Sequence, residues 1–572
     1  MTTITAGSSK TFTAQVDNSS FVVIAPGGSI GQVDDQNGNI QPIGPNGTRR
    51  TFGPLNELQS ITVSMQIGNA SVELNGWSGG IPITAETNST GLDDASRAAV
   101  SRSVGMLVDL SKAAIIGDSY TNRMWRQQSV TSVVGDGTTA TVSLTGHALP
   151  TGSKVRVTAG TGATGLRTLE SKITVVDANT LTYPSTVVGT LTSSNLYGMA
   201  QPADYGWAAW FRAITGIMWA SNFGVGGATS SDLSAYIPLL QAAAPSIVFA
   251  QYGINDANGL AAASTDAEVN AMVAQVVSVD DALVAACAAV GAVLVLSTIP
   301  PEAAAYANFG TPRTQALLRI NQSRRARRSF TVRIADEWAS QVNGASTTGA
   351  VSASWIASDN LHPNTAGALR LANLKYAACS DLLPPDPRPR VSSYTETSTF
   401  DPNCKQVLPN PTLTGAGPTA DLWTTAGANW TPSLVARADG KGNNQRLVAA
   451  SATVNGTLTS NTFHTKLAAG NRIKIGCEIT VSGITSMLGF RVELSLTQNG
   501  TTASLYAIRG ALTAAEGGSI PAAASGVTYY FESEELELAY SPTNAQFIVT
   551  GNFNTSSSVT IDVGTPRVDI LN

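Results

Sequence analysis

Three hydrophobic patterns succeed one another along the chain. Up to about residue 90 the apolar positions come in short runs broken by polar turns. Phe21-Val22-Val23-Ile24 predicts a strand, Ile61-Thr62-Val63-Ser64-Met65 alternates at period two, and Asp35-Gln36-Asn37-Gly38-Asn39 predicts a hairpin turn. The Asp35/Asn37/Asn39 spacing is also found in calcium loops, but the glycine and terminal glutamate of such a loop are missing, so a turn is expected. Residues 1–90 therefore read as an N-terminal β-rich module.

From about residue 91 the period changes. Ala113-Ala114-Ile115-Ile116 is a short apolar run that predicts a buried strand, and further strands are expected at 217–222, 246–252, 292–298 and 331–335. Helices are predicted between them: 205–216, burying Trp207, Trp210 and Phe211, then 266–290 and 312–328, and finally 365–383. Strands alternating with helices imply a parallel sheet covered on both faces, and 91–385 reads as one α/β domain. Arg324, Arg325, Arg327 and Arg328 are expected to form a solvated helix end. Residues 282–301 run for twenty positions without a charge. Gly291 divides them into an Ala-rich and a β-branched half and Pro300-Pro301 ends them, so a buried helix entering a central strand is expected rather than a membrane span.

Residues 129–198 break the alternation. Ala140–Leu144, Lys154–Val157 and Ile173–Val176 alternate at period two between Gly and Asn turns, which predicts a small β-module inserted into the α/β domain. Its Gly160-Thr-Gly162-Ala-Thr-Gly165 matches G-x-G-x-x-G, but β-patterned sequence lies on both sides. A dinucleotide site needs a helix on one of them, so a loop and no nucleotide cofactor are expected. After Leu383, PPDPRPR marks a stiff linker over 386–402, and 403–572 again has the short alternating runs of a β-sandwich. Trp423, Trp430 and Tyr529-Tyr530-Phe531 are expected in its core.

Composition narrows the function. The chain has 572 residues, 43% hydrophobic and 13% charged, and a net charge of −5, which disfavours a nucleic-acid backbone as partner. Four widely spaced cysteines (Cys287, Cys379, Cys404, Cys477) suggest buried thiols rather than a disulfide framework, and three scattered histidines argue against a zinc site. The N-terminus shows no secretory pattern.

Acyl transfer requires a nucleophile, a base, a group that orients the base, and donors for the oxyanion. Ser119 lies in Ile116-Gly117-Asp118-Ser119-Tyr120, where a strand ends. Asn222-Phe-Gly224-Val-Gly226-Gly227-Ala-Thr-Ser230 follows another strand and offers unobstructed amides, while Gly253-Ile-Asn255-Asp256 places an amide side chain at a third strand end. Asp359-Asn-Leu-His362-Pro363 precedes the last helix and contains the one histidine of the α/β portion outside the insert, His147 lying within it. Each block alone has a bland reading as a turn, a βα loop or a helix cap. In order, each at the carboxyl end of a strand or beside the last helix, they converge.

That order, G-D-S, N-x-x-x-x-G, G-x-N-D and D-x-x-H-P, resembles the four blocks of the SGNH (GDSL-like) serine hydrolases over about residues 113–383. The resemblance implies a flavodoxin-like three-layer α/β/α domain. It also implies Ser119 as nucleophile, His362 as general base and acid, Asp359 as its orienting carboxylate, and an oxyanion hole of the Ser119 and Gly227 amides with Asn255. Gly224 and Gly226 are the other glycines of that block; Gly227 matches best because Ala-Thr-Ser follows it. No metal or organic cofactor is implied. The family's Leu or Ile after the serine is here Tyr120. Within the insert, GHALPTGSKVRVTAG and ITVVDANTLTY resemble a β-module of bacteriophage tail proteins, and Asn410-Pro-Thr-Leu with Leu422-Trp423 resembles jelly-roll carbohydrate-binding modules. Together these resemblances imply an esterase that removes O-acetyl groups from a bacterial capsule or O-antigen polysaccharide. It would be a homotrimeric phage tail fibre or spike in the virion, contacting other tail proteins, without nucleic acid and without membrane insertion. A lipid or thioester hydrolase, a non-viral bacterial carbohydrate esterase and an adhesin with an inactive esterase domain are the alternatives.

Overall fold

A computed structural model describes residues 108–383 and 405–572 apart from short internal stretches, together with strand backbones between residues 2 and 75. The expected loop at 160–165, the linker at 386–402, Cys404 and the turn residues 36–39 lie outside the described residues. In the N-terminal part, Thr2–Ile4, Ala70–Asn75, Ser19–Ala25 and Thr48–Leu55 pair in that order as one antiparallel sheet. Ser9–Thr13, Ser60–Ile67, Ile30–Asp35 and Ile40–Ile43 form a second.

The α/β domain is built on five parallel strands: Ala113–Gly117, Trp219–Gly224, Ile247–Gln251, Val293–Ser297 and Val332–Ala335. Their spatial order is second, first, third, fourth, fifth, the doubly-wound order whose crevice opens at the carboxyl ends of the strands. Four of the five are buried throughout, which explains why they read as unbroken apolar runs rather than alternations. Trp219–Gly224, at the sheet edge, begins partly exposed, and it starts two residues later than its composition suggests.

Two groups of helices pack on this sheet. Trp207–Thr215 lies against Thr365–Cys379, and Asp266–Ala289 lies against Thr311–Ala326. Asp266–Ala289 begins with a capping box between Thr265 and Glu268. It is long and apolar enough to cross a membrane by length and composition, but the charge-free stretch divides as its residues suggest. The helix ends at Ala289, Gly291 turns the chain at φ 70°, and Val293–Ser297 enters the sheet. The arginine cluster corrects its sequence reading. Arg324 is fully buried and bonded by Nε and Nη2 to Asp280 at 2.9 Å, while Arg325 and Arg327 pair with Asp336 and Asp281. Periodicity placed these arginines on a helix end but could not show which carboxylates the neighbouring helix would bring.

Between Ser119–Asn122 and Trp207–Thr215 the chain leaves the sheet to build the insert, two five-stranded antiparallel sheets. The module is wider than 129–198: its base is the antiparallel pair Trp125–Ser129 and Asn195–Pro202. Asn195–Pro202 is buried at all but its first residue, so no alternation betrayed it as a strand of a module with an exposed face.

The C-terminal part consists of a seven-stranded and a five-stranded antiparallel sheet. Trp423, Tyr529, Tyr530 and Phe531 are buried, and Trp430 packs partly buried against the same core. The sandwich and the α/β domain share apolar contacts. Trp210, fully buried, meets Tyr529 at 5.2 Å, Phe531 at 5.7 Å and Phe490 at 6.2 Å between ring centroids. Beside them Arg212 pairs with Glu534 at 2.7 Å, and Arg509 donates to Gln201 at 2.9 Å. Cys287, Cys379 and Cys477 are buried free thiols.

Candidate active site

Gly117 ends its strand where side chains cannot fit. A Cβ there would stand 2.1 Å from the Gln251 carbonyl oxygen and 2.4 Å from Thr121 Oγ1. This close approach lets the chain turn at once into the short helix Ser119–Asn122, capped by Asp118, whose carboxylate accepts from the Tyr120 amide at 3.0 Å. Ser119 thus opens a helical turn at the carboxyl edge of the sheet, half-buried, with its hydroxyl in the crevice.

The loop before the last helix brings the base to it. Ala357 and His362 close the loop by a backbone bond of 2.8 Å, Asn360 takes the left-handed conformation at φ 62°, and Asn364 caps the helix by accepting from the Gly367 amide. Asp359 Oδ1 accepts from the amides of Leu361 (3.1 Å) and His362 (2.9 Å), which fixes the carboxylate. Its Oδ2 lies 2.7 Å from His362 Nδ1, and His362 Nε2 lies 2.7 Å from Ser119 Oγ. The three side chains form a continuous hydrogen-bonded chain from carboxylate to hydroxyl across 243 residues of sequence.

The protonation states suit a neutral base. Burial lowers the His362 pKa; the hydrogen bond it donates to Asp359 opposes this, and the positive charge of Arg123 adds to the lowering. Partial burial works to raise the Asp359 pKa, but its hydrogen bonds and attraction to His362 outweigh it and hold the carboxyl well below the usual range. Asp118, buried beneath the serine, is pushed up to about 7 by desolvation.

The glycine block lies beside the serine. Val225 donates to the Gly117 carbonyl at 2.8 Å, and Gly224 donates to the Asn222 side chain at 2.8 Å. Gly227 has φ 75°, a conformation that favours glycine, and a Cβ on it would meet nothing within 4 Å. A Cβ on Gly226 would instead stand 3.0 Å from the Tyr197 hydroxyl. Asn255 joins this loop: one hydrogen of its Nδ2 is donated to the Ala228 carbonyl at 3.0 Å, which leaves the other free to donate. Asn255 makes no side-chain cap to the following turn, and Asp256 is occupied with the Ser230 amide and hydroxyl.

Sequence reasoning missed three neighbours. Arg123 donates to Asp359 Oδ2 at 3.1 Å and lies over the Tyr205 ring. The Tyr120 hydroxyl donates to the Leu361 carbonyl and its ring stands 5.5 Å from that of His362, so this departure from the family pattern braces the histidine loop. Arg156 of the insert binds carbonyls at the end of the Trp219–Gly224 strand. Only Tyr120 carried a signal, as an unusual residue in a recognised motif. His147 is remote from the site, buried with its ring bonded to the Leu149 amide and the Asp177 carbonyl. Among the described residues no group of three His, Cys, Asp or Glu side chains could hold a metal ion.

No curated protein matches the chain. Among solved structures it is similar, at 13% identity and TM-score 0.25, to a putative lipolytic protein of the G-D-S-L family from Desulfitobacterium hafniense DCB-2, over 30% of this chain and 89% of that one. It is also similar to the C-terminal family 22 carbohydrate binding module of Clostridium thermocellum Xyn10B (14% identity, 27% and 88%, TM-score 0.20). A third is the enzymatically active domain of bacteriophage CBA120 tailspike protein 4 (11% identity, 26% and 19%, TM-score 0.19), of which this chain spans less than a quarter. The family model of the GDSL-like lipase/acylhydrolases matches residues 185–370, a span that begins within the last strands of the insert and holds Gly227, Asn255, Asp359 and His362 but not Ser119. Residues 185–370 therefore carry a GDSL-like lipase/acylhydrolase family domain, to whose histidine the fold returns the upstream Ser119.

Proposed function

We propose that the protein is a serine esterase that removes O-acyl groups, chiefly O-acetyl, from a bacterial surface polysaccharide, as a homotrimeric component of a phage tail fibre or spike alongside other tail proteins. The observation that carries the esterase part is the Asp359–His362–Ser119 chain of hydrogen bonds, each link 2.7 Å. In this reading Ser119 Oγ attacks the ester carbonyl carbon while its proton passes to His362 Nε2. The carbonyl oxygen becomes an oxyanion held by the Ser119 and Gly227 amides and the Asn255 side chain. Collapse of the tetrahedral intermediate expels the sugar hydroxyl, which takes its proton from His362, and water then releases acetate by the same steps in reverse order. The three-layer, flavodoxin-like reading of the domain is supported by its parallel sheet order and by the two helix groups. The glycan part is supported by the β-rich segments on both sides of the domain and by the surface position of the site, where the Asp359 side chain is 42% exposed.

The test is acetate release from an acetylated capsule or O-antigen, run beside aryl esters of graded chain length. Release from the polysaccharide, with aryl acetate preferred to aryl decanoate, is expected. Activity confined to long chains would sink the glycan assignment and favour a lipase. The pH profile follows from the site. Neutral His362 is the active base, so kcat/KM rises with pH through the histidine pKa and then stays level. Because burial and Arg123 lower that pKa, the half-maximal point is expected below the ordinary value of about 6.5. An acid limb centred above 7 would contradict this environment for His362.

A further inference from the structure

The Trp219–Gly224 strand is the outermost of the parallel sheet, so no strand pairs its outer edge. The insert covers that edge with a cation. Arg156, on the insert strand Lys154–Ala159, donates through Nη1 to the Gly224 carbonyl and through Nη2 to the Asn222 carbonyl. It is 2% exposed and lies over the Trp125 ring at 5.1 Å. Among the described residues no carboxylate forms an ion pair with it. Burial pulls its pKa down to about 10, so it remains charged at neutral pH. An arginine that serves only to hold a module in place is normally paired with an acid or left in water, since a buried unpaired cation is costly. Here both terminal nitrogens are directed at the strand end that leads into Gly226 and Gly227. Tyr197, paired across the insert sheet from Arg156, crowds Gly226 from the same side.

We propose that Arg156 is a positioning residue for the oxyanion loop, so that the inserted β-module completes the catalytic site of the domain it interrupts. The proposal rests on the esterase reading above. Held at two carbonyls, the strand end cannot shift, and the Gly227 amide keeps its aim toward the carbonyl oxygen of a substrate on Ser119. The guanidinium also places a fixed positive charge behind the loop where negative charge develops. Both effects act on the transition state more than on bound ester, so kcat should fall while KM holds.

The experiment compares Arg156→Met and Arg156→Lys with wild type on an aryl acetate, and measures inhibition by a boronic acid, which forms a tetrahedral adduct on the serine. A Lys154→Met variant removes an exposed insert cation as control. Arg156→Met is expected to lower kcat about 10- to 100-fold, up to the loss that a misplacement of about 1 Å produces. KM should change by less than about threefold, and boronate affinity should fall in step with kcat. Arg156→Lys should fall between, and Lys154→Met should match wild type. If Arg156→Met does not fold, Arg156→Lys decides by the same two measurements. Unchanged kcat and boronate affinity in a folded Arg156 variant overturn the inference, as does an equal loss in Lys154→Met. A wild type that neither hydrolyses the ester nor binds the boronate overturns the esterase reading and this inference with it.

Discussion

Replacing Ser119 with alanine is expected to lower ester turnover about 10⁴- to 10⁶-fold, the range seen when a nucleophile of such a hydrogen-bonded unit is removed. The variant should remain folded, because Ser119 is half-buried and only its hydroxyl is lost; a stability change within about 0.5 kcal/mol is expected. The size of the loss follows from the geometry. His362 Nε2 has the Ser119 hydroxyl as its partner at 2.7 Å, so without it the base has no oxygen in place to deprotonate. What survives is the contribution of the oxyanion donors and of binding, on the order of 10³ over water. Initial rates on an aryl acetate, with thermal unfolding of both proteins, check this. Equal rates in a folded Ser119→Ala variant would remove Ser119 from the mechanism and return the chain of hydrogen bonds to a structural role.

Asp359→Asn should be nearly as damaging, about 10⁴-fold in kcat, although it changes no shape. The carboxylate now accepts from two amides with Oδ1 and from both His362 and Arg123 with Oδ2. An asparagine can keep the two amides only by turning its NH₂ toward His362 and Arg123. Nδ1 of the histidine would then accept, its proton would move to Nε2, and the nitrogen facing Ser119 could no longer take a proton. Arg123 would meet a donor in place of a charge. The loss should be in kcat at every pH where His362 is neutral, so the pH profile distinguishes it from a simple pKa shift. A loss under tenfold would show that Arg123 and the loop orient His362 without the carboxylate.

The sequence made the reacting groups legible because chemistry constrains them locally. Gly117 must be glycine to pass the Gln251 carbonyl, Asp359 and His362 sit three residues apart on one loop, and four buried strands leave unbroken apolar runs. What it hid were partners brought together only by topology. Arg123 looks like any arginine until the Asp359 loop arrives, and Arg324 looks like a surface residue until Asp280 of the neighbouring helix is placed beside it. The base of the insert was hidden for a different reason: Asn195–Pro202 is buried on both faces and so lacks the period that marks a strand with one wet face. Most of the same insertion lies between the Ser119 block and residue 185, where the family match begins.

The separation of 243 positions between Ser119 and His362 also sets when the site can come into being. Contacts that close so long a loop form late, after the segments between them have collapsed and ordered. Ser119 leaves the ribosome well before the insert, the remaining four strands of the sheet and the last helix. Until those have folded, it has no base and its hydroxyl is an ordinary alcohol. On the esterase reading, the nascent chain is thus inert toward esters until the segment carrying His362 has left the ribosome, and the site is completed only with the docking of the histidine loop.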